Sequence, residues 1–289
     1  MEIIVGKTAG FCYGVKRAVE GAKKEIKENK KISCLGEIVH NRQVIEELKK
    51  IGMDTIENIE EVEDNEKILI RAHGVPKEIY EIAKKRNIEL IDYTCPNVLK
   101  IHNIVNEYVK KGYYILLCGS STHPENIGTL SYCKNNYFVI EKEDEALKAI
   151  EAIKKQNRKQ VLLISQTTYS LEKFYIIEEI LKNELPKNIK LEICNSICNA
   201  TEIRQLETKK LAKEVDFMII IGGKNSSNTK KLYEIAKKEN ANTILIESAK
   251  EMDDVENKYN KIGIMAGAST PKKSIEEVVT KLNEEVVKI

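Results

Sequence analysis

Short apolar runs rich in β-branched residues alternate with longer amphipathic, Lys- and Glu-rich stretches from one end of this chain to the other. Runs of the first kind are typical of buried strands, and stretches of the second kind are typical of helices that pack one face against a sheet. Phe217-Met218-Ile219-Ile220-Ile221 is wholly apolar, whereas Leu232, Ile235 and Ala236 follow the i, i+3, i+4 spacing of one helix face. Strands that alternate with helices predict an α/β protein with parallel sheets and crossover helices. The pattern fits one large sheet or several small sheets equally well.

The same pattern predicts the positions of individual elements, and no Pro- or Gly-rich linker separates them into domains. Strands are predicted over residues 2–6, 32–37, 67–71, 88–92, 113–118, 161–165, 190–194, 216–221, 243–246 and 261–266. Helices are predicted over residues 14–29, 41–51, 77–86, 97–111, 171–184, 201–213, 229–239 and 272–287.

The charge balance, the lack of a long apolar run and the first residues of the chain argue against a nucleic-acid-binding, membrane or secreted protein. Lys and Arg total 47 and Asp and Glu total 45, so the net charge of +2 is too balanced to predict a nucleic-acid or membrane surface. No apolar run approaches the ~18–20 residues of a membrane-spanning helix. Residues 1–6 lack the basic flank and long apolar stretch of a signal peptide. We therefore expect a cytoplasmic protein that binds neither nucleic acid nor membrane.

Polar and small residues collect where a predicted strand ends and the next helix begins. In parallel α/β sheets, ligands bind outside the carboxyl ends of the strands, where helix N-termini offer free N–H groups to anions such as phosphate. Helix capping explains Ser, Thr and Asn at any single turn equally well. It does not explain why histidines and cysteines gather at the same places. The nine turns comprise residues 8–12, 39–41, 72–76, 93–96, 120–125, 166–168, 195–199, 222–228 and 267–271.

Three of the four histidines lie in these turns. His40, His73 and His123 each follow a predicted strand, whereas His102 lies inside a predicted helix, where we expect a structural or exposed side chain. Imidazole can donate a hydrogen bond to phosphate, transfer a proton or bind a metal. The turn histidines are therefore candidates for a functional site.

The seven cysteines divide in the same way. The chain has no C-x-x-C pair, and Cys12, Cys95 and Cys198 lie in turns spread over its three thirds. Three converging thiolates suit a zinc ion or an iron–sulfur cluster, and a set of three ligands leaves one metal coordination position open for substrate. The remaining thiols are expected to be buried or without function; they are Cys34, Cys118, Cys133 and Cys194.

Nine short motifs, in order along the whole chain, resemble the LytB family, the 4-hydroxy-3-methylbut-2-enyl diphosphate reductases. Each motif is short, but nine in the right order are highly specific. The motifs are Gly10-Phe11-Cys12-Tyr13-Gly14-Val15, Glu37-Ile38-Val39-His40-Asn41, Ala72-His73-Gly74-Val75, Asp92-Tyr93-Thr94-Cys95-Pro96, His123-Pro124-Glu125, Gln166-Thr167-Thr168, Ile197-Cys198-Asn199-Ala200-Thr201, Gly223-Lys224-Asn225-Ser226-Ser227-Asn228 and Ala266-Gly267-Ala268-Ser269.

The resemblance implies a fold and a cofactor. The fold is α/β, with three pseudo-symmetric modules that hold small parallel sheets around a central iron–sulfur cleft. The modules are expected at residues 1–95, with Cys12, His40 and His73; at residues 96–194, with His123, Glu125 and Thr167; and at residues 195–289, with Cys198, Ser226 and Ser269. The implied cofactor is a [4Fe–4S] cluster with Cys12, Cys95 and Cys198 as ligands and one open iron.

The resemblance also implies a reaction and its residues. An iron–sulfur oxidoreductase of this family converts 4-hydroxy-3-methylbut-2-enyl diphosphate into isopentenyl and dimethylallyl diphosphate, the last step of the non-mevalonate isoprenoid pathway. The implied electron donor is ferredoxin or flavodoxin. Around the substrate hydroxyl the implied residues are His123, Thr167 and the proton donor Glu125; around the diphosphate they are His40, His73, Ser226, Ser227, Asn228 and Ser269.

Three other functions stay open at the level of the sequence. A hydro-lyase would use an open iron only as a Lewis acid and would consume no electrons. A cluster-based redox sensor would need neither Glu125 nor the diphosphate turns. A zinc hydrolase would be colourless.

Overall fold

The computed structural model describes residues 1–252 and 259–287, and these residues form three parallel four-stranded sheets. The strands are β1 (Glu2–Val5), β2 (Ile32–Leu35), β3 (Met53–Ile56), β4 (Lys67–Ile70), β5 (Glu89–Asp92), β6 (Tyr114–Cys118), β7 (Tyr137–Ile140), β8 (Gln160–Ser165), β9 (Lys190–Ile193), β10 (Phe217–Ile221), β11 (Thr243–Ile246) and β12 (Lys261–Ala266). The helices are α1 (Tyr13–Asn29), α2 (Arg42–Lys50), α3 (Lys77–Lys85), α4 (Pro96–Lys110), α5 (Pro124–Leu130), α6 (Glu145–Lys155), α7 (Leu171–Glu184), α8 (Asn199–Glu214), α9 (Ser227–Glu239) and α10 (Lys272–Val287).

The three sheets repeat one strand order. Their orders are β3-β2-β4-β5, β7-β6-β8-β9 and β11-β10-β12-β1, and all neighbouring strands are parallel. In the first two sheets the chain forms an inner strand, adds an outer strand beside it, and then adds two strands on the other side. In the third sheet β10, β11 and β12 follow the same course, and β1 from the start of the chain occupies the fourth position. The α/β class and the three small parallel sheets are confirmed.

The position of β1 differs from the predicted modules. β1 pairs with β12, with Ile3 opposite Ile262, so the predicted module 1–95 contributes strands to two sheets. The third sheet takes its fourth strand from the start of the chain because strand pairing depends on the tertiary structure and not on proximity in sequence.

The chain divides into two compact units. Unit one comprises Met1–Val19, Val39–Lys50 and the described part of Asn199–Ile289, and unit two comprises Glu20–Ile38 and Ile51–Cys198.

Unit one holds the β11-β10-β12-β1 sheet, whose buried strands are covered on both faces. Alternate residues of β10 point to opposite faces, so Ile219 packs with Val278 and Leu282 of α10, whereas Met218 and Ile220 pack with helices α8 and α9. This double coverage explains the continuous apolar run of β10.

Unit two holds the other two sheets. In the β7-β6-β8-β9 sheet, Leu116 of β6 packs against α6 and α7, whereas Ile115 and Leu117 pack against α4. Two predicted bystander thiols, Cys118 and Cys133, are fully buried in these cores.

Two outer strands and two helices were not predicted. β3 and β7 have four residues each, and β3 exposes Thr55, so its pattern is too short and mixed to stand out. The apolar run of β7 could have identified that strand, and with it the following helix α6; for the short helix α5, the sequence indicated a helix start after His123-Pro124 but no range. No described helix is long and apolar enough to cross a membrane.

Candidate functional site

The three turn cysteines occupy equivalent positions in the three sheets. Each follows the outermost strand, and its backbone N–H donates to a carbonyl in the turn after the neighbouring strand. The N···O distances are 3.1 Å from Cys12 to Ala268, 2.9 Å from Cys95 to Ala72, and 3.0 Å from Cys198 to Thr167. The same backbone bond therefore orients each cysteine at the carboxyl end of its sheet.

The thiols differ in exposure. None of the seven cysteines forms a disulfide; Cys12, Cys95, Cys198 and also Cys194 are partly exposed, whereas Cys34, Cys118 and Cys133 are buried. In unit two, the amide Nδ2 of Asn97 donates to Sγ of Cys198 at 3.0 Å. Since Asn97 lies two residues after Cys95, this contact brings the Cys95 and Cys198 turns together. Asn97 was not singled out from the sequence, although its position beside Cys95 was a usable signal.

The other four thiols are poor candidates for ligands. Burial raises the pKa of Cys34 and Cys133 to about 12 and also raises the pKa of Cys118 and Cys194. A thiol must lose its proton to bind metal, so these environments oppose binding.

Two of the three turn histidines meet within unit two. The rings of His73 and His123 lie edge to face with their centroids 5.4 Å apart. His123 also begins α5, where its Nδ1 accepts the backbone N–H of Glu125 at 3.2 Å. Nδ1 is therefore the unprotonated nitrogen of a neutral His123, which leaves Nε2 as the donor.

The fourth histidine is buried in α4. His102 lies beside Tyr132, with ring centroids 5.2 Å apart, and burial lowers the pKa of His102 to about 4. The imidazole is therefore neutral at physiological pH.

A buried contact of two hydrogen bonds in unit two joins Glu125 to Thr167. The backbone N–H of Thr167 donates to Oε1 of Glu125 at 2.6 Å, and its hydroxyl donates to Oε2 at 2.7 Å. Glu125 is only 2% exposed. Burial raises the pKa of this carboxyl to about 7, and the bonds from Thr167 partly offset the effect of burial. Near neutral pH, Glu125 can therefore both hold a proton and release one.

Unit one gathers polar side chains and helix N–H groups at the start of α9. Oγ of Ser226 caps this helix by accepting the N–H of Thr229 at 3.3 Å, and Ser227 and Asn228 form the first turn. Asn228 is buried, and neither polar atom of its amide has a hydrogen-bond partner among the described residues. An unsatisfied amide beside a helix N-terminus suits an anion, because both supply N–H donors.

The turn after β12 and the His40 turn complete this arrangement. Oγ of Ser269 donates to the carbonyl oxygen of His40 at 3.0 Å. A Cβ on Gly223 would lie 2.8 Å from the same oxygen, so only glycine allows this close backbone approach. The hydroxyl of Thr229 is also buried without a hydrogen-bond partner in the described part of the chain, and the sequence analysis did not single it out.

Each unit thus gathers part of the predicted set. Unit one holds Cys12, His40, Ser226, Ser227, Asn228 and Ser269, and unit two holds Cys95, Cys198, His73, His123, Glu125 and Thr167.

Both the sequence and the fold of this chain are similar to those of known proteins. The family model described as LytB protein matches residues 3–283. The 4-hydroxy-3-methylbut-2-enyl diphosphate reductase of Clostridioides difficile is 42% identical over 282 residues, which cover 97% of this chain and 98% of that relative. The enzyme of the same name from Aquifex aeolicus is 40% identical over 290 residues, which cover 98% of this chain and 96% of that relative.

Two solved structures are also similar. A structure described as (E)-4-hydroxy-3-methyl-but-2-enyl diphosphate reductase, the terminal enzyme of the non-mevalonate pathway, is 39% identical with a TM-score of 0.69; the match covers 98% of this chain and 100% of that chain. The E-1-hydroxy-2-methyl-but-2-enyl-4-diphosphate reductase from Plasmodium falciparum is 32% identical with a TM-score of 0.90; the match covers 98% of this chain and 88% of that chain.

Proposed function

The chain belongs to the LytB family, and we propose that Glu125 supplies the proton on which its reaction depends. It is an oxidoreductase that reduces 4-hydroxy-3-methylbut-2-enyl diphosphate, the terminal reaction of the non-mevalonate pathway. The substrate is an allylic alcohol, and its hydroxyl leaves as water with the consumption of two electrons and two protons. Allylic delocalisation accounts for two products, isopentenyl and dimethylallyl diphosphate. The reductase names of the relatives favour this reaction over a hydro-lyase, a redox sensor or a zinc hydrolase.

The observation that carries the proposal is the buried Glu125–Thr167 pair. Hydroxide is a poor leaving group, so an acid must protonate the oxygen as the C–O bond breaks. A carboxyl with a pKa of about 7 retains its proton in a substantial fraction of molecules at neutral pH. When Glu125 gives up that proton, the two short bonds from Thr167 stabilise the carboxylate that remains. His123, which orients the start of α5, is proposed to contact the same hydroxyl.

We propose Cys12, Cys95 and Cys198 as ligands of the family's iron–sulfur group, taken as a [4Fe–4S] cluster. The support is their equivalent positions at the carboxyl ends of three sheets, together with partly exposed thiols that form no disulfide. Thiolates are the ligands that iron–sulfur clusters use. When bound, the cluster supplies the electrons and one iron without a protein ligand, which can act as a Lewis acid. The amide of Asn97 would then donate to a ligand sulfur.

We propose that the diphosphate is bound at the start of α9. The α9 N-terminus and the buried amide of Asn228 supply the donors that an anion requires, without a lysine clamp. The residues proposed to contact the diphosphate are His40, His73, Ser226, Ser227, Asn228 and Ser269. The proposed electron donor is a ferredoxin or flavodoxin, and the proposed location is the cytoplasm.

The test of the proton donor is Glu125→Gln, assayed anaerobically with an artificial electron donor beside a substrate-binding titration. Glutamine keeps the shape but has no acidic proton, so turnover should fall about 10²–10⁴-fold while affinity and iron content persist. Glu151→Gln, an exposed change on α6, is the matched control and should keep full turnover. Wild-type turnover in Glu125→Gln would remove Glu125 from the mechanism.

A further inference from the structure

A second polar pair lies directly beside the Glu125–Thr167 pair and has no part in the proposed chemistry. Nδ2 of Asn126 donates to Oε1 of Gln166 at 3.0 Å and to the carbonyl oxygen of Ser120 at 2.7 Å. Asn126 is fully buried and Gln166 is 2% exposed. The two amides are therefore placed to act on the protein itself and not on solvent.

The sequence neighbours of this pair explain its position. Asn126 follows Glu125 on α5, and Gln166 precedes Thr167 in the turn after β8. β6 and β8 are adjacent parallel strands, and the backbone N–H of Gln166 continues their ladder by donating to Cys118 at 2.8 Å. The segment after β6 and the turn after β8 are thus joined by two side-chain pairs. One is Glu125–Thr167, and the other is Asn126–Gln166.

Gly119 has no side chain, and this leaves space for the amide pair. A Cβ on Gly119 would lie 2.5 Å from Nδ2 of Asn126 and 2.9 Å from Cβ of Gln166. Nε2 of Gln166 in turn donates to the hydroxyl oxygen of Thr168 at 2.8 Å. Gly119 and Thr168 therefore restrict both amides to one arrangement.

We propose that Asn126 and Gln166 are positioning residues that keep both donors of Thr167 on the carboxylate of Glu125. This proposal rests on the proposed role of Glu125 as the acid.

The free energy of burying these two amides argues against a role of Asn126 and Gln166 in stability alone. Burying an amide costs free energy unless all of its polar atoms are hydrogen-bonded, and Oδ1 of Asn126 has no partner among the described residues. An apolar side chain of similar size would fill the site without that cost. What an amide adds is a directional bond that sets the distance between two turns.

Loss of that bond should act through Glu125. In Asn126→Leu, the remaining donor to Oε1 of Gln166 would be the N–H of Ser120 at 3.4 Å, and the two turns could move apart. Misplacement by about 1 Å can reduce a rate about 100-fold. We expect kcat to fall about 10- to 100-fold while KM changes less than about threefold, because the diphosphate is proposed to bind elsewhere.

The pKa of Glu125 should move as well. The bonds from Thr167 lower the pKa of this buried carboxyl, so loosening them should raise it. The alkaline limb of the kcat–pH profile should then shift to higher pH. His123, which accepts the Glu125 N–H, and His73, whose ring contacts His123, are present in every variant. Any influence of these two side chains is therefore common to all of the profiles.

The experiment compares Asn126→Leu, Gln166→Met and the double variant of the anaerobically purified enzyme. A second readout needs no turnover: the infrared C=O band of the protonated carboxyl, assigned by its loss in Glu125→Gln and titrated with pH. In each single variant we expect the pH midpoint of the infrared titration (the infrared midpoint) to rise. The alkaline limb of the kcat–pH profile should move to higher pH by a similar amount. The double variant should be no slower than the slower single variant, because both lack the same bond.

The double variant also separates positioning from folding. With both amides replaced, no buried side-chain amide is left unpaired at this pair, so thermal stability should recover relative to the single variants. The kinetic and infrared shifts should nevertheless remain. Ser131→Ala, which removes a hydroxyl bonded to the Gly128 carbonyl at the end of α5, is the matched control and should leave the infrared midpoint unchanged.

Two results would overturn the proposal. One is an unchanged infrared midpoint with unchanged kcat in a folded Asn126→Leu or double variant. The other is a return of kcat together with stability in the double variant, which would show a structural role only. If Glu125→Gln turned over normally, the acid role would fail, whereas the infrared midpoint would still decide whether the amide pair positions Glu125.

Discussion

The buried carboxyl of Glu125 should make the stability of this protein depend on pH in an unusual direction. Its pKa rises from an ordinary value of 4.5 in the unfolded chain to about 7 in the folded protein. Between these values the folded state holds a proton that the unfolded state has lost, so stability falls as pH rises. The stabilisation is complete below pH 4.5 and is lost through pH 7.

The size of the effect follows from the same two values. Each pH unit across this window corresponds to about 1.4 kcal/mol, so the full loss is about 3 kcal/mol. Glu125→Gln does not titrate, so its stability relative to the native protein should rise by that amount between pH 4.5 and about 7.5. For 289 residues, an unfolding entropy of ~2.1 cal/mol/K per residue converts this into a relative shift in Tm of about 5 °C.

The assay is anaerobic calorimetry of both proteins across this pH range. Glu141→Gln is an informative control because bonds from Ser121 lower the pKa of the Glu141 carboxyl. There the stabilisation is complete above the unfolded pKa of 4.5 and is lost only at more acid pH, so between pH 4.5 and 7.5 the Tm difference between native protein and Glu141→Gln should not change. A Tm difference between native protein and Glu125→Gln that does not change with pH would refute the reasoning.

Four further outcomes are expected. Cys12→Ser, Cys95→Ser and Cys198→Ser should each lose iron and acid-labile sulfide, whereas serine at any of the other four cysteines should retain them; a full iron content in the Cys95 variant would contradict the assignment. Asn228→Ala should weaken pyrophosphate binding about 10- to 100-fold in a calorimetric titration without altering the absorption spectrum, as the loss of one hydrogen bond to a charged group predicts; equal affinity would place the anion elsewhere. Asn97→Leu should lower the reduction potential in a redox titration, because a bond to a ligand sulfur favours the reduced cluster, and an unchanged potential would show that the bond is not made in the loaded enzyme. Turnover of the native enzyme should decline above about pH 7 as Glu125 ionises, and a flat profile to pH 9 would argue against the acid role.

Much of the local structure could be predicted because its signals are local. The apolar run at β10 and the helical spacing in α9 depend only on which faces of a segment are buried. The concentration of functional residues in turns also follows from the chain alone, since the carboxyl ends of parallel strands collect the turns that follow them. The short outer strand β3 escaped prediction because four residues, partly exposed, carry almost no periodic signal.

The tertiary structure decided how distant segments pair. Nothing near residues 2–5 indicates that β1 lies beside β12, more than 250 residues later. The bond between Asn126 and Gln166 crosses 40 residues, and the sequence assigned no role to either residue, although Gln166 stands in the Gln166-Thr167-Thr168 motif. Such contacts depend on strand order and register, which local hydrophobic patterns do not determine.

Glu125 shows the same division within one side chain. The sequence around Glu125 determined that a carboxylate follows His123-Pro124 at the start of a helix. An exposed acid there would only stabilise the helix through its dipole. The packing of α5 against the turn after β8 decided that this carboxylate is buried, bonded twice to Thr167 and shifted to a pKa of about 7. The physical reason is that residue type sets the ordinary pKa, whereas desolvation and hydrogen bonding arise only from neighbours that the fold brings together.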